Sequence, residues 1–335
     1  MEKYDVIVCG GGIAGISAAL ASARSGQKVC LIERNALLGG LATVGLIHWY
    51  EPLCDGKNHQ MIYSIAEELL KLSIAHGYDT LDHSWFDPNC KEHQKRFSTW
   101  FDPNLFALSL TRLLDEEGVK IYFESQISEV HVRNHKMTSL DIYTIEGKIK
   151  LSAKSFIDAT GSAYIFKQAH IATRNGENYL TYATTTYKNG LGRPIFQYTG
   201  ASMYGNDCPD GVRNFKDASQ KDVNDYLLIG QKLCLKEYEE GKISDLSILP
   251  NMVQFRRIST IQGDYQLSKD DLYQHHEDSI GVIGVFDRPG EWYELPLGIL
   301  TQPTITNLFA AGRIVSCFDN SAWEGRARRR DQLRC

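Results

Sequence analysis

Apolar residues are concentrated in short runs near the N-terminus and recur at helical spacing between those runs. Residues 4–9 form an apolar run that predicts a β-strand, and residues 28–32 predict a second one. Between them, Ile16 and Leu20 lie on one face of a predicted helix over residues 12–25. The order strand, helix, strand indicates a β-α-β unit with a parallel sheet.

The next part of the chain repeats these patterns. Helical spacing predicts a helix over residues 60–76 and another from Asp102, a good N-cap, to Gly118. Residues 127–153 alternate between apolar and polar positions and predict a three-stranded antiparallel meander. A buried strand over residues 154–158 is predicted to follow. The pattern therefore predicts a Rossmann domain that an antiparallel insert interrupts.

The character of the chain changes after about residue 164. Thr, Tyr, Gly and Asn become frequent, and a helix is predicted near residues 219–240. A single doubly wound domain would not leave so long a stretch before its last strand. We therefore predict an α/β fold whose first domain comprises residues 1–164 and 291–324, with a mixed α+β substrate or cap domain over residues 165–290.

A glycine motif stands directly after the first predicted strand. Gly10 permits a tight turn, Gly12 lets the backbone approach a pyrophosphate, and Gly15 lets helix and strand pack closely. The helix N-terminus adds N–H groups and partial positive charge. Glu33 follows the second strand, where a carboxylate can accept hydrogen bonds from a ribose, and it would repel a 2′-phosphate. The motif predicts a dinucleotide site for NAD or FAD.

Small residues end three later apolar runs, at 38–43, 156–161 and 307–313. With these segments the chain resembles the bacterial FAD-dependent oxidoreductases that have a glutathione-reductase-type Rossmann domain. The resemblance implies noncovalently bound FAD. The motif and the resemblance together assign FAD contacts to Gly10, Gly12, Ile13, Ala14, Gly15, Glu33, Arg34, Gly39, Gly40, Leu41, Ala42, Thr43, Ile127, Ala159, Thr160, Gly161, Gly312 and Arg313.

Flavin supplies the redox chemistry, and the protein supplies position, charge and proton transfer. The segment 45–56 follows the glycine doublet and is expected near the isoalloxazine. Its His48 is a candidate for proton transfer, and the alternative is a buried histidine. Arg256 is a candidate to hold an anionic substrate beside Arg257, and the alternative is a solvated or ion-paired surface residue. The function expected is hydride transfer between flavin and a small organic substrate.

Composition and net charge narrow the functional classes that the chain can belong to. The net charge of −5 gives no case for a nucleic-acid partner, and no apolar run is long enough for a membrane span. We therefore expect a cytoplasmic enzyme. The cysteines are scattered without a C-x-x-C motif, so no metal site is expected. Since one dinucleotide motif is present, electrons are expected to come from the substrate, a separate carrier or a transiently bound nicotinamide.

The resemblance ends at about Glu324. Residues 325–335 are rich in arginine and lack the apolar periodicity of the helix that the family has at this point. One hypothesis is a frameshift or truncation, and the other is a genuine basic tail that binds a partner. A truncated chain would be a catalytically impaired, flavin-binding remnant. An NAD-dependent dehydrogenase is a weaker alternative.

Overall fold

The computed structural model describes residues 2–57, 59–82, 97–187, 194–202, 205, 207–243, 245–286 and 288–317. The strands are β1 (Glu2–Cys9), β2 (Val29–Ile32), β3 (Trp49–Tyr50), β4 (Thr99–Trp100), β5 (Lys120–Tyr122), β6 (Gln126–Arg133), β7 (Lys136–Thr144), β8 (Gly147–Asp158), β9 (Thr173–Asn175), β10 (Thr181–Tyr187), β11 (Pro194–Gly200), β12 (Ser259–Ile261), β13 (Ser279–Gly284), β14 (Trp292–Pro296) and β15 (Leu308–Ala310). The α-helices are α1 (Ile13–Arg24), α2 (Ile65–Ile74), α3 (Pro103–Glu116), α4 (Tyr164–Gln168) and α5 (Gln220–Glu239).

A seven-stranded sheet forms the centre of the first part of the chain. Its order is β5-β2-β1-β8-β7-β6, and β15 also pairs with β8. Parallel pairing joins β5, β2, β1, β8 and β15, whereas antiparallel pairing joins β8 to β7 and β7 to β6. This is the predicted α/β arrangement with its antiparallel insert.

The strand β8 differs from the prediction. We expected the last strand of the meander and the buried strand at 154–158 to be separate, but they form one continuous strand. One edge of β8 pairs with β1 from Leu151 to Asp158. The other edge pairs with β7 up to Ser152 and with β15 from Phe156 onward. Because β1 extends along both halves, the ladder has no break at which β8 could divide.

The predicted helices are confirmed with ends that differ by a few residues. In α3, the Asp102 carboxylate caps the helix by accepting hydrogen bonds from the N–H groups of Asn104 and Leu105 at 2.9 and 3.0 Å. Pro103 occupies the first helical position, where its missing N–H costs nothing. Helices α1 and α3 share a hydrophobic core with the sheet through buried side chains that include Leu20, Leu31, Phe106 and Leu110.

A second hydrophobic core lies in residues 180–255. It includes Leu180, Tyr182, Phe215, Tyr226 and Phe255. The hairpin β10–β11 and helix α5 surround it. We take this core as the centre of the predicted cap, whose boundaries at 165 and 290 remain predictions.

Polar contacts join the cap to the first domain. The Gln254 amide nitrogen donates to the carbonyl oxygen of Gly45 at 2.7 Å. The Tyr187 hydroxyl donates to the Asp102 carboxylate at 2.7 Å. The cap therefore sits over the segment that follows the glycine doublet.

No helix in the described part of the chain combines the length and the apolar character that a membrane span requires. Two predictions extend beyond the described residues. They concern the end of the first domain, at residues 318–324, and the basic tail at 325–335.

Candidate functional site

The turn between β1 and α1 has the geometry that its glycines predict. Gly10 has a φ of +107°, which L-residues rarely adopt. A Cβ on Gly15 would lie 1.9 Å from the carbonyl oxygen of Gly10, so helix and turn touch backbone to backbone. Among the described residues, a Cβ on Gly12 would meet nothing within 4 Å. The turn is therefore closed at Gly15 and open at Gly12, beside the first residues of α1, Ile13 and Ala14.

Glu33 is buried at the end of β2, next to this turn. Its Oε2 accepts a hydrogen bond from the N–H of Gly11 at 2.7 Å. Its Oε1 accepts from the backbone and side-chain nitrogens of Asn35 at 2.9 and 2.7 Å. These bonds fix the carboxylate in place, and the exposed Arg34 follows it.

The glycine doublet packs directly on the first turn. The N–H of Gly39 donates to the carbonyl oxygen of Gly11 at 2.8 Å. A Cβ on Gly40 would lie 3.1 Å from the Cα of Gly12. Both doublet glycines have positive φ. Leu41 and Ala42 continue a short 3₁₀ helix, and the hydroxyl of the buried Thr43 donates to the carbonyl oxygen of Leu38.

Ala159, Thr160 and Gly161 lie on the other side of the turn. A Cβ on Gly10 would come within 2.6 Å of the carbonyl oxygen of Ala159. The preceding Asp158 is fully buried and accepts hydrogen bonds from the Thr160 hydroxyl at 2.7 Å and from the Ile165 N–H at 2.9 Å. Burial raises the pKa of the Asp158 carboxyl, and these hydrogen bonds oppose the rise. Asp158 thus fixes the segment that follows β8.

Ile127 lies in β6, an edge strand of the sheet, and its side chain is buried. Two residues earlier, the N–H of Ser125 donates to the backbone carbonyl of Glu33 at 3.0 Å. This bond places the start of β6 next to the end of β2. Ile127 therefore lies close in the chain to a segment that contacts Glu33, and its contact with FAD stays a prediction.

Gly312 and Arg313 complete the surroundings of the turn. A Cβ on Gly312 would lie 2.8 Å from the Cβ of Ala14, so the chain after β15 packs on the first turn of α1. The Arg313 Nε donates to the carbonyl oxygen of Gly161 at 2.9 Å. Burial, and then the positive charges of Arg34 and Arg256, lowers the pKa of Arg313 to about 10. Three cationic groups therefore influence one another near the turn.

A cavity of about 430 Å³ begins at the N-terminus of α1. We call it the apolar cavity. Ile13 and Ala42 line it on the side of the glycine motifs, together with residues 49–53. Phe101 and residues 283–286 line it from other elements. The predicted approach of the segment 45–56 to the flavin is consistent with this lining.

His48 is fully buried between aromatic rings. Its ring centroid lies 5.4 Å from that of Trp100, 6.4 Å from that of Phe101 and 5.5 Å from that of Phe196. Nδ1 lies 3.1 Å from the carbonyl oxygen of Leu46, which can only accept, so Nδ1 carries the proton. Burial lowers the pKa of His48 to about 4. The ring is therefore neutral, and the described residues offer its Nε2 no hydrogen-bond partner.

Arg256 lies in the cap segment that leads to β12. The Arg256 guanidinium donates to the Tyr198 hydroxyl at 3.2 Å. Its backbone N–H donates to the Asn178 side-chain oxygen at 2.9 Å. The same oxygen accepts from the N–H of Arg257 at 2.9 Å. Asn178 thereby fixes the backbone of both arginines.

A second, polar cavity of about 130 Å³ lies where the chain enters and leaves the cap. We call it the arginine cavity. The charged and polar residues that line it are Arg174, Asn175, Glu177, Arg257, Ser259, Thr260 and Arg313. Strands β9 and β12 form its sides, and their register places Arg174 opposite Thr260. Arg313 thus lines this cavity while it contacts Gly161 at the glycine turn.

Comparison with known proteins identifies the group to which this site belongs. The family described as FAD dependent oxidoreductase matches residues 5–226, about two thirds of the chain. The chain belongs to this family of FAD-dependent oxidoreductases. FAD is therefore its cofactor, which decides the choice between NAD and FAD that Glu33 left open.

Individual relatives match shorter parts. A tRNA uridine 5-carboxymethylaminomethyl modification enzyme of Buchnera aphidicola is 27% identical over 178 residues, which are 49% of this chain and 25% of that enzyme. A soluble pyridine nucleotide transhydrogenase of Mycobacterium bovis is 46% identical over 41 residues, which are 12% and 9% of the two chains. The L-amino acid deaminase from Proteus vulgaris has a TM-score of 0.40 at 12% identity and covers 57% of this chain and 56% of its own. The chain spans about a quarter or less of the curated relatives it matches.

The described residues fit FAD. Gly12 leaves its side of the turn open beside the N–H groups of α1, where a pyrophosphate is stabilised by backbone donors and the helix dipole. Arg34 and Arg313 add positive charge, and Glu33 provides a fixed acceptor. A dinucleotide has both an anionic centre and a ribose hydroxyl pair, so each of these groups has a counterpart in the cofactor.

The sequence did not indicate Arg174. It stands far from Arg257 in the chain and in no recognisable motif, and only the pairing of β9 with β12 brings the two together. Glu129, His131 and Asp141 also converge, with ligand atoms within 4.8 Å of one another. The ammonium group of Lys148 lies 2.9 Å from Asp141 and 3.0 Å from Glu129. We therefore interpret this cluster as an ion-pair network of the insert.

Proposed function

We propose that this FAD-dependent oxidoreductase transfers a hydride between noncovalently bound flavin and a small organic substrate. The substrate is held between the first domain and the cap. When bound, FAD supplies the ring that accepts or donates the hydride. The residues of the chain bind and orient the two reactants and exclude water from the space between them.

The observation that carries this proposal is the position of the apolar cavity. It starts at Ile13 and Ala42, which border the open glycine turn and the doublet, and it extends between apolar and aromatic walls. A cavity of about 430 Å³ is within the range of about 300–1,000 Å³ that small-molecule sites occupy. A cofactor anchored at Gly12 can therefore extend along the doublet toward a place that a flat ring or substrate fits.

His48 and Arg256 have different proposed roles. His48 is neutral, and its Nε2 offers a lone pair in apolar surroundings next to Phe101, which lines the apolar cavity. It is the candidate acceptor for a substrate proton. Arg256 is held by Tyr198 and Asn178 and contributes positive charge toward Arg313, so it is the candidate to orient an anionic substrate.

The electron partner that we propose is a carrier that binds transiently. The transhydrogenase relative is named for pyridine nucleotides, and the present chain has one dinucleotide motif. A transiently bound nicotinamide or another carrier would exchange electrons with the flavin when the organic substrate has left. Stopped-flow reduction by NADH and by NADPH tests this step.

The first experiment is quantitation of flavin released by acid from the purified chain after incubation with FAD. We expect about one FAD for each chain, and release without proteolysis, since the cofactor is held noncovalently. Anaerobic bleaching of the flavin by a panel of amines, hydroxy acids and other small metabolites then identifies the substrate. Failure to take up FAD would overturn the proposal, whereas FAD uptake without bleaching by any compound would favour the catalytically impaired, flavin-binding remnant.

A further inference from the structure

We infer that the arginine cavity is an oxyanion subsite that holds the carboxylate or phosphate group of the substrate. The identification of the bound anion as part of the substrate rests on the proposed function. The anion site itself is argued from the cavity alone. It narrows the substrate class to small organic compounds with an anionic group.

Positive charge dominates the walls of this cavity. Arg174 lies in β9, Arg257 precedes β12, and Arg313 follows β15, so three separate elements direct cationic residues to one place. Guanidinium groups bind planar carboxylates and phosphates through paired hydrogen bonds. Arginines from separate elements hold a fixed relative geometry because the strands that carry them are fixed.

One acidic residue at the cavity offsets part of this charge. Glu177 is the acidic residue that lines the cavity within the described part of the chain, and its Oε1 lies 3.2 Å from the Lys216 ammonium. The Asn214 amide donates to the same oxygen at 2.8 Å. Burial acts to raise the pKa of Glu177, but these partners and the positive charge of Arg257 lower it, so Glu177 is ionised and three arginines face one carboxylate at the cavity. Behind the wall, the Lys167 ammonium donates to the Ser259 hydroxyl at 2.6 Å and adds one more positive charge.

The size of the cavity indicates a group rather than a whole molecule. Its volume of about 130 Å³ is well below the volumes of about 300 Å³ and more that enclose entire organic ligands. At the cavity wall the Ser259 hydroxyl donates to the Asn175 side-chain oxygen at 2.8 Å, and Thr260 adds a further hydroxyl. A carboxylate or phosphate fits the volume, and the arginines are its main donors.

The cavity is adjacent to the cofactor site but distinct from it. The open face of the glycine turn is at Gly12, whereas the arginine cavity is bounded by β9 and β12 of the chain entering and leaving the cap. Arg313 belongs to both surroundings, because it contacts Gly161 and lines the cavity. An anion bound here would therefore anchor a substrate close to bound FAD.

The test titrates the FAD-loaded protein with inorganic phosphate and, separately, with malonate, by calorimetry and by flavin difference spectra. We expect saturable binding of at least one of the two anions. Binding of phosphate alone would indicate a phosphorylated substrate, and binding of malonate alone would indicate a carboxylate. Arg174→Gln and Arg257→Gln should each weaken the binding at least about 10-fold, by loss of a charge-assisted pair.

Arg112→Gln is the matched control. Arg112 is exposed on α3, with an ion pair at 3.9 Å to Glu116, and its loss should leave anion affinity unchanged. Arg174→Lys and Arg257→Lys keep the charge and test geometry if a glutamine variant fails to fold. Each lysine variant should bind the anion more weakly than the parent protein and at least as tightly as a glutamine variant that folds.

The outcomes separate the two proposals. Absence of FAD uptake contradicts the proposed function. The anion site would still stand if the apoprotein binds phosphate. Absence of binding by both anions to the FAD-loaded protein overturns the subsite alone. Displacement of FAD by phosphate would also overturn it, since the anion would then occupy the cofactor site.

Discussion

The glycine turn and the arginine cavity are both suited to anions, but they are constructed differently. The turn uses backbone groups from residues close together in the chain, and its shape depends on the absence of Cβ atoms at Gly10 and Gly15. The cavity uses long charged side chains from Arg174, Arg257 and Arg313, which distant elements bring together. The glycine turn should therefore lose ligand binding when a Cβ atom is added, and the arginine cavity should lose it when a positive charge is removed.

Gly15→Ala should have the largest effect. The new Cβ would lie 1.9 Å from the carbonyl oxygen of Gly10 and 3.1 Å from the Ala159 Cβ, and the Gly10 backbone cannot move away without separating α1 from β1. We expect a loss of more than about 3 kcal/mol in the free energy of unfolding, together with loss of FAD binding. Urea denaturation of the apoprotein measures the first quantity and flavin release the second. A variant of unchanged stability would contradict the close packing described here.

Protonation of His48 should have the next largest effect on stability. Unlike the polar groups of the turn, its Nε2 has no hydrogen-bond partner among the described residues. Its pKa falls from an ordinary value near 6.5 to about 4 in the folded protein. The unfolded chain therefore binds more protons between these pH values, and stability is lost as the pH decreases from 6.5 to 4. The loss attributable to His48 should reach about 3 kcal/mol.

His48→Phe is the variant that isolates this effect. A phenyl ring fits the aromatic surroundings and cannot be protonated, so the variant should lose less stability than the parent protein between pH 7 and pH 5. Urea denaturation at both pH values measures the difference. Equal pH dependence in the two proteins would show that His48 is accessible to protons in the fold, and it would strengthen its case as a proton acceptor.

Gly12→Ala tests the open side of the turn and is the counterpart of Gly15→Ala. A Cβ here meets no atom of the other described residues within 4 Å, so the free energy of unfolding of the apoprotein should change by less than about 0.5 kcal/mol. The methyl group would nevertheless occupy the space proposed for the pyrophosphate. We expect FAD affinity to fall at least about 10-fold, or about 1.4 kcal/mol. Unchanged FAD affinity would place the phosphates elsewhere.

The two sites also differ in how far the sequence predicts them. The turn was predictable because Gly10, Gly12 and Gly15 carry their conformational requirements locally, and the Asp102 cap was predictable for the same reason. Arg174 was not, since its position opposite Thr260 depends on strand pairing across the cap. Partner choice of this kind is a property of the whole fold and leaves no periodic signal in a short window.

The same reasoning applies to β8 and His48. The pattern located the apolar positions of β8 correctly, but it could not show that β7 and β15 share one edge of a single strand. For His48, the sequence left open whether a buried ring would find partners for both nitrogens. The structure gives Nδ1 the carbonyl oxygen of Leu46, whereas Trp100 and Phe196 pack around the ring and no described residue offers Nε2 a partner.

Tyr187→Phe should have the smallest effect on stability. It tests how much one polar contact contributes to holding the cap, which carries two of the cavity arginines, against the first domain. The variant removes the hydrogen bond from the Tyr187 hydroxyl to the Asp102 carboxylate. Asp102 keeps its bonds to the N–H groups of Asn104 and Leu105, so α3 should remain capped. We expect a loss of about 1 kcal/mol in unfolding free energy. Tyr143→Phe is the control, since that tyrosine is largely exposed on β7.

The size of this loss shows which contacts hold the cap in place. About 1 kcal/mol, with unchanged helix content by circular dichroism, would leave docking to other contacts such as the bond from Gln254 to Gly45. A much larger loss would mean that Tyr187 holds the cap. In that case Tyr187→Phe should also weaken anion binding, because Arg174 and Arg257 would no longer be fixed relative to Arg313. Intact anion affinity beside a large loss would show that β9 and β12 hold the arginines without the rest of the cap.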